Sequence, residues 1–133
     1  MKFLIAGLGS IGRRHLRNLR ALGEDALADR AGSGAVIGDP SPEALFAGEV
    51  YQRGALTLHA LRLRLGDETF FELLRTYHER HRGGNATTED FIALAEETSG
   101  EELDGFFDAW LYSVALPDLP EAGLSTASLQ PEP

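Results

Sequence analysis

The chain has no cysteine among its 133 residues. Disulfide bonds, cysteine-based zinc sites and cysteine nucleophiles are therefore excluded. No run reaches the roughly 18 apolar residues that a membrane-spanning helix requires. The apolar run at residues 3–6 is too short for a secretory signal, and its charges follow it. We therefore expect a cytoplasmic protein that does not bind membranes.

Positive charge is also scarce, because 12 basic residues face 21 acidic ones and the net charge is −9. This balance argues against nucleic acid and anionic membrane as partners. The charge is unevenly spread: residues 1–24 hold five bases and one acid, whereas the remainder holds seven bases and twenty acids. Such a break can mark a domain junction.

Strand signals are few. Residues 3–6 predict one buried strand, and residues 34–38 predict a second, very short one. The helix signals after residue 48 are stronger. We predict helices at 50–65, at 67–82 with Asp67 as N-cap, and from Thr87 or Thr88 with Phe91, Leu94 and Ala95 facing inward.

A fourth helix is predicted to open with a capping box formed by Ser99 and Glu102. Its apolar stripe is the strongest in the chain and comprises Leu103, Phe106, Phe107, Trp110 and Leu111. The short connections predict that neighbouring helices fold back on each other. Four of the six prolines lie in residues 116–133, which predicts a disordered tail.

These signals predict a mostly α fold in four parts. Residues 1–23 form a Rossmann-like strand–turn–helix, residues 24–43 a linker, residues 44–115 a helical region and residues 116–133 the tail. No internal repeat is visible.

A glycine motif lies between the first strand and the first helix. Its candidate dinucleotide contacts are Gly7, Gly9, Ser10, Ile11 and Gly12, in the pattern G-x-G-x-x-G. Asp39 is the best candidate for the acid that would bind the ribose, although it lies later than usual. The stretch GLGSIGRRHLRNLRALG at 7–23 resembles the opening of Gfo/Idh/MocA-type NAD(P)-dependent oxidoreductases. One alternative is therefore a truncated oxidoreductase of that type, with NAD(P) as cofactor.

The helical region carries a second resemblance. It rests on four motifs in order: EVYQRGALTLHAL at 49–61, LGDETFF at 65–71, GNATTEDF at 84–91 and SGEELDGFFDAW at 99–110. Together they resemble the last helices of the catalytic domain of aminopeptidase N-type zinc metallopeptidases (gluzincins), over about residues 36–113. The resemblance implies a four-helix remnant of that domain, with Tyr51 as the residue whose hydroxyl binds the oxyanion of the tetrahedral intermediate. We assign Arg53 no catalytic role.

The family's zinc motif is missing, since the sequence contains no H-E-x-x-H. The similar stretch at 78–81 has one residue too few between its histidines. We therefore expect no metal or cofactor in the isolated chain, and peptide hydrolysis only with a separate zinc-bearing segment. A third hypothesis is a non-enzymatic helical module that self-associates through exposed apolar helix faces.

Overall fold

A computed structural model of the protein describes residues 36–118, apart from the side chain of Glu49. Three predicted parts of the chain lie outside these residues: the strand–turn–helix at 1–23, most of the linker, and the tail beyond residue 118. So do Gly7, Gly9, Ser10, Ile11 and Gly12 of the glycine motif.

The described residues are mostly helical, as the sequence predicts. A short 3-10 helix at Pro42–Ala44 precedes the main elements: α1 at Gly48–Leu65, α2 at Asp67–Arg80, α3 at Thr88–Ser99 and α4 at Asp104–Phe107. The last helix continues into a π-helical turn at Asp108–Tyr112. Within residues 36–118 no helix is long and apolar enough to cross a membrane.

The second strand predicted at 34–38 does not form in the part of that segment that is described. Residues 37–39 make a bend, in which Ile37 is buried. The N–H of Gly38 donates to the carbonyl oxygen of Leu111 at 2.8 Å. This segment docks onto a helix end, where no neighbouring strand offers a ladder of hydrogen bonds.

The junction between α1 and α2 differs by one residue from the prediction. Gly66, with φ of +78°, caps both helices, and Asp67 is the first residue of α2. The Asp67 carboxylate instead accepts hydrogen bonds from Arg62 at 2.7 and 2.9 Å. Leucine and arginine alternate at residues 61–65, a pattern that resembles a strand, but these residues lie in α1, within the helix predicted at 50–65.

The predicted capping box at Ser99 and Glu102 is wrong. Gly100 adopts a left-handed conformation, with φ of +70°, and ends α3, so Ser99 is the last residue of that helix. The capping box lies instead at the start of α3. The hydroxyl of Thr87 accepts from the N–H of Asp90 at 3.1 Å, and the Asp90 carboxylate accepts from the N–H of Thr87 at 2.8 Å.

The helices bury one main core and a smaller one. All three predicted inward residues of α3 are buried, and four of the five stripe residues of the last helix are buried, with Phe106 partly so. The smaller cluster packs the middle of α1 against the π-helical turn through Leu56, Ala60 and Trp110. The first and last described helices are therefore in direct contact.

Candidate functional site

Arg53 is fully buried in the first half of α1, with no side-chain exposure. Its guanidinium donates hydrogen bonds to five backbone carbonyl oxygens near the end of the described chain. The distances are 2.6 Å to Trp110, 3.1 Å to Ala109, 2.6 Å to Ser113, 2.9 Å to Val114 and 2.9 Å to Ala115. One side chain thus binds five of the seven residues from 109 to 115, which we call the gripped segment.

The carbonyls are available because the last helix ends there. The final carbonyl groups of a helix have no N–H partner within it. Here the helix closes with a π-helical turn at Asp108–Tyr112, and the chain then extends from Ser113. A cation near this end also opposes the negative pole of the helix. Arg53 supplies donors to these oxygens, in a buried bond to Trp110 and in partly buried bonds to the other four.

The positive charge of Arg53 is stabilised by the dipoles of these carbonyl groups, since no described carboxylate forms an ion pair with it. Burial lowers the pKa of the Arg53 guanidinium, yet arginine stays protonated in proteins. Its neighbour Thr57 is also buried, and the Thr57 hydroxyl donates to the Arg53 carbonyl oxygen at 2.8 Å. The side chains of Arg53 and Thr57 are therefore both buried and both hydrogen-bonded to backbone carbonyl oxygens.

Tyr51 lies two residues before Arg53 on the same helix and is 48% exposed. At 3.6 residues per turn, side chains two positions apart point about 200° away from each other. Arg53 faces the gripped segment, so Tyr51 faces away from it. The Tyr51 phenol therefore lies on the solvent-accessible side of α1, opposite the face that Arg53 joins to the last helix. Its predicted role in catalysis stays a prediction.

Asp39, the predicted ribose acid, is exposed in the bend before the 3-10 helix. It lies near the Tyr112 hydroxyl: burial, together with the carboxylates of Glu89, Asp108 and Asp39, raises the pKa of Tyr112. The glycines that would complete a dinucleotide site lie outside the described residues.

The residues present do not match the zinc site of the resembled family. Residues 36–118 contain no group of three or more His, Asp or Glu side chains arranged to hold a metal ion. His78 is exposed at the end of α2, and the His81 ring packs 4.8 Å from the ring of Tyr77. The whole sequence contains no H-E-x-x-H.

One apolar cavity of about 60 Å³ lies inside the helices. Its walls include Ile37, Val50, Leu58, Phe91 and Phe107. Its lining is almost wholly apolar and includes neither Tyr51 nor Arg53. Thr57, Tyr77, Thr87 and Thr88 also line it, but its volume is far below the roughly 300–1,000 Å³ of a ligand pocket.

Arg53 is the residue that the sequence prediction undervalued. Its position two residues after Tyr51, in the V-Y-x-R-G element, was visible in the sequence. Its five acceptors are backbone carbonyls, 56 to 62 positions further along the chain. Every residue type has a backbone carbonyl, so this contact cannot be predicted from the residue types in the sequence.

Comparison with known proteins adds independent information. The Peptidase family M1 domain matches residues 14–110. Aminopeptidase N of Lactococcus lactis subsp. lactis is 37% identical over 68 residues, which cover 51% of this chain and 8% of that protein. Aminopeptidase N of Streptomyces lividans is 37% identical over 71 residues, which cover 53% and 8%.

Aminopeptidase N of Caulobacter vibrioides is 31% identical over 110 residues, 80% of this chain and 13% of that protein. The chain thus spans between about a twelfth and an eighth of the length of these relatives. No solved structure matches the chain. These comparisons lend no support to the oxidoreductase resemblance.

Proposed function

The chain belongs to peptidase family M1, and from that premise we propose that residues 36–118 form part of an aminopeptidase catalytic domain. In this proposal Tyr51 is the functional side chain and the helices are its scaffold. The geometry of α1 supports this proposal. On its inward face Arg53 is hydrogen-bonded to the last helix, while the Tyr51 side chain is 48% exposed.

The chemistry assigned to Tyr51 is hydrogen-bond donation. When a peptide carbonyl is attacked, its oxygen gains negative charge that is absent from the substrate. A fixed phenol O–H near that oxygen stabilises the transition state more than the ground state, and this difference accelerates the reaction. A donor of this kind contributes about 10²- to 10³-fold in kcat.

The proposal assigns this chain no metal-dependent step. Its described residues lack a metal-binding group, and its sequence lacks the family's zinc motif. The groups that hold zinc in the family would come from a separate segment. We therefore expect the 133-residue chain alone not to release amino acids from peptides. Robust, chelator-sensitive turnover by the pure chain would contradict this.

The role of Tyr51 is best tested in a chimera. The segment of Streptomyces lividans aminopeptidase N that this chain matches would be replaced by the corresponding residues of this chain. Hydrolysis of an aminoacyl p-nitroanilide would then be compared for the chimera and its Tyr51→Phe variant. We expect kcat to fall about 10²- to 10³-fold with little change in KM, because the lost hydrogen bond forms only in the transition state.

Tyr112→Phe is the matched control. Tyr112 is 40% exposed, so the two substitutions each remove one phenol hydroxyl from a partly exposed ring. The control variant should keep the kcat of the chimera. An active chimera in which Tyr51→Phe keeps full kcat would overturn the proposed function.

A further inference from the structure

The five hydrogen bonds of Arg53 constrain how α1 is rotated about its own axis. A guanidinium is a rigid planar fork with donors in fixed directions. Nε donates to Trp110 and Nη1 to Val114, and the two N–H groups of Nη2 are shared among Ala109, Ser113 and Ala115. A single hydrogen bond would allow α1 to rotate about its axis. Acceptors on five residues permit only a narrow range of orientations of α1.

The start of α1 is held by two side chains near Tyr51: Val50, which packs against the main core, and Arg53. Its N-cap residue, Ala47, forms no side-chain capping bond. The apolar contacts with Trp110 involve Leu56 and Ala60, which lie after Arg53. Tyr51 lies before Arg53, between the uncapped start and the anchored middle. Among these contacts with the last helix, that of Arg53 is the nearest to Tyr51 along the sequence.

We propose that Arg53 is a positioning residue for Tyr51: by binding the carbonyls of the gripped segment, it sets the rotation of α1 and so the direction of the phenol. This inference rests on the proposed function, in which that direction matters. Arg53 itself points away from Tyr51 and is not a catalytic residue. The same bonds link the position of Tyr51 to the order of residues 109–115.

The test uses the full 133-residue chain and requires no catalysis. The chain has three tyrosines, so incorporation of fluorotyrosine gives three fluorine NMR signals, which Tyr→Phe variants at 51, 77 and 112 assign. Arg53→Lys keeps the charge but has three donors for five carbonyls, and Arg53→Met has none. Arg62→Met is the control, because Arg62 also lies on α1 but binds the exposed side chain of Asp67.

We expect the Tyr51 signal to shift in Arg53→Lys and to shift further and broaden in Arg53→Met. The Tyr112 signal should also change, since Tyr112 lies in the gripped segment. The Tyr77 signal should stay in place, because Tyr77 packs in the core against Phe91. Arg62→Met should leave the Tyr51 signal unchanged.

Two results would overturn the inference. If Tyr112 shifts while Tyr51 does not, Arg53 orders only the gripped segment. If Tyr77 shifts together with the other two, Arg53 has a general structural role. If Arg53→Met does not fold, the Tyr51 signal of Arg53→Lys is the test. An unchanged Tyr51 signal in that variant refutes the inference. The NMR result is independent of turnover, so it is separate from the kinetic test of Tyr51→Phe.

Discussion

The Nε atom of Arg53 donates a 2.6 Å hydrogen bond to the carbonyl oxygen of Trp110, 57 positions further along the chain. Both residues are buried, with exposures of 0% and 3%. The bond joins the first long helix to the π-helical turn that ends the last one. Four further carbonyl bonds from the same side chain make this the most extensive side-chain contact described in the fold.

Loss of this contact should weaken the fold markedly. Arg53→Met leaves up to five carbonyl oxygens without their donor, and buried acceptors without partners are costly. We expect the free energy of unfolding to fall by roughly 3 kcal/mol, measured by urea denaturation followed by circular dichroism. Arg62→Met removes an exposed ion pair on the same helix and should have little effect. Equal losses in the two variants would contradict the account.

Gly38 should tolerate no side chain. A Cβ added there would overlap the ring of Tyr112, because the backbone of Gly38 lies directly against it. Gly38→Ala should therefore cost about 1–3 kcal/mol of unfolding free energy through forced displacement of the ring. Combining it with Tyr112→Ala should remove most of that additional cost.

Gly105→Ala is the control for the preceding prediction. Gly105 lies in α4, and an added Cβ there meets no described atom within 4 Å. Alanine favours a helix by about 0.5–1 kcal/mol over glycine, so this variant should be more stable than the wild type. Thermal denaturation of both glycine variants makes the comparison. A destabilised Gly105→Ala protein would show that α4 is packed differently.

The capping box of α3 should make stability depend on pH. Hydrogen bonds from the backbone N–H and side chain of Thr87 lower the pKa of Asp90. A carboxyl group whose pKa is lower in the folded state stabilises the fold above its unfolded-state pKa of about 3.9, and this is lost as pH falls through the folded-state value. The stability advantage of the wild type over Asp90→Ala should therefore stay constant above about pH 5 and shrink as the pH falls below about 4.

Thr87→Ala provides the comparison for the Asp90 prediction. It removes an uncharged capping group and should cost about 1 kcal/mol of unfolding free energy. The part of that cost that comes from the bond donated by the Asp90 N–H should persist at low pH, because neither group of that bond titrates. The Thr87→Ala difference should therefore shrink less at low pH than the Asp90→Ala difference. The difference in unfolding free energy between the wild type and Asp90→Ala is measured by urea denaturation. If it stays constant down to pH 3, the stabilisation by the capping box does not depend on the charge of Asp90.

The helical half of the fold could be predicted from the sequence, because three of its helices have clear periodicity and glycine stops. Phe91, Leu94 and Ala95 are buried as predicted. The sequence predicts a capping box only at Ser99 and Glu102, whereas the structure has it at Thr87 and Asp90. The left-handed conformation of Gly100 makes Ser99 the end of a helix, and a local sequence pattern does not show this.

The candidate site could be predicted only in part. The resemblance predicts Tyr51 as the functional residue, and that role stays a prediction. The structure shows that the Tyr51 side chain is 48% exposed on α1. The role of Arg53 could not be predicted, since an arginine within an amphipathic helix usually lies in solvent. Its burial follows from the π-helical turn and its free carbonyls, which are tertiary features without a sequence signature.

In the proposed mechanism, Arg53 sets the orientation of α1, and Tyr51 on that helix acts in peptide hydrolysis. The most direct measurement is a double-mutant cycle on kcat in the aminopeptidase chimera, with Arg53→Lys, Tyr51→Phe and the two combined. We predict that Arg53→Lys lowers kcat, by up to about 100-fold for a displaced group, when Tyr51 is present. In the Tyr51→Phe background it should have almost no further effect. The same factor in both backgrounds would contradict the claim, because Arg53 would then act independently of Tyr51.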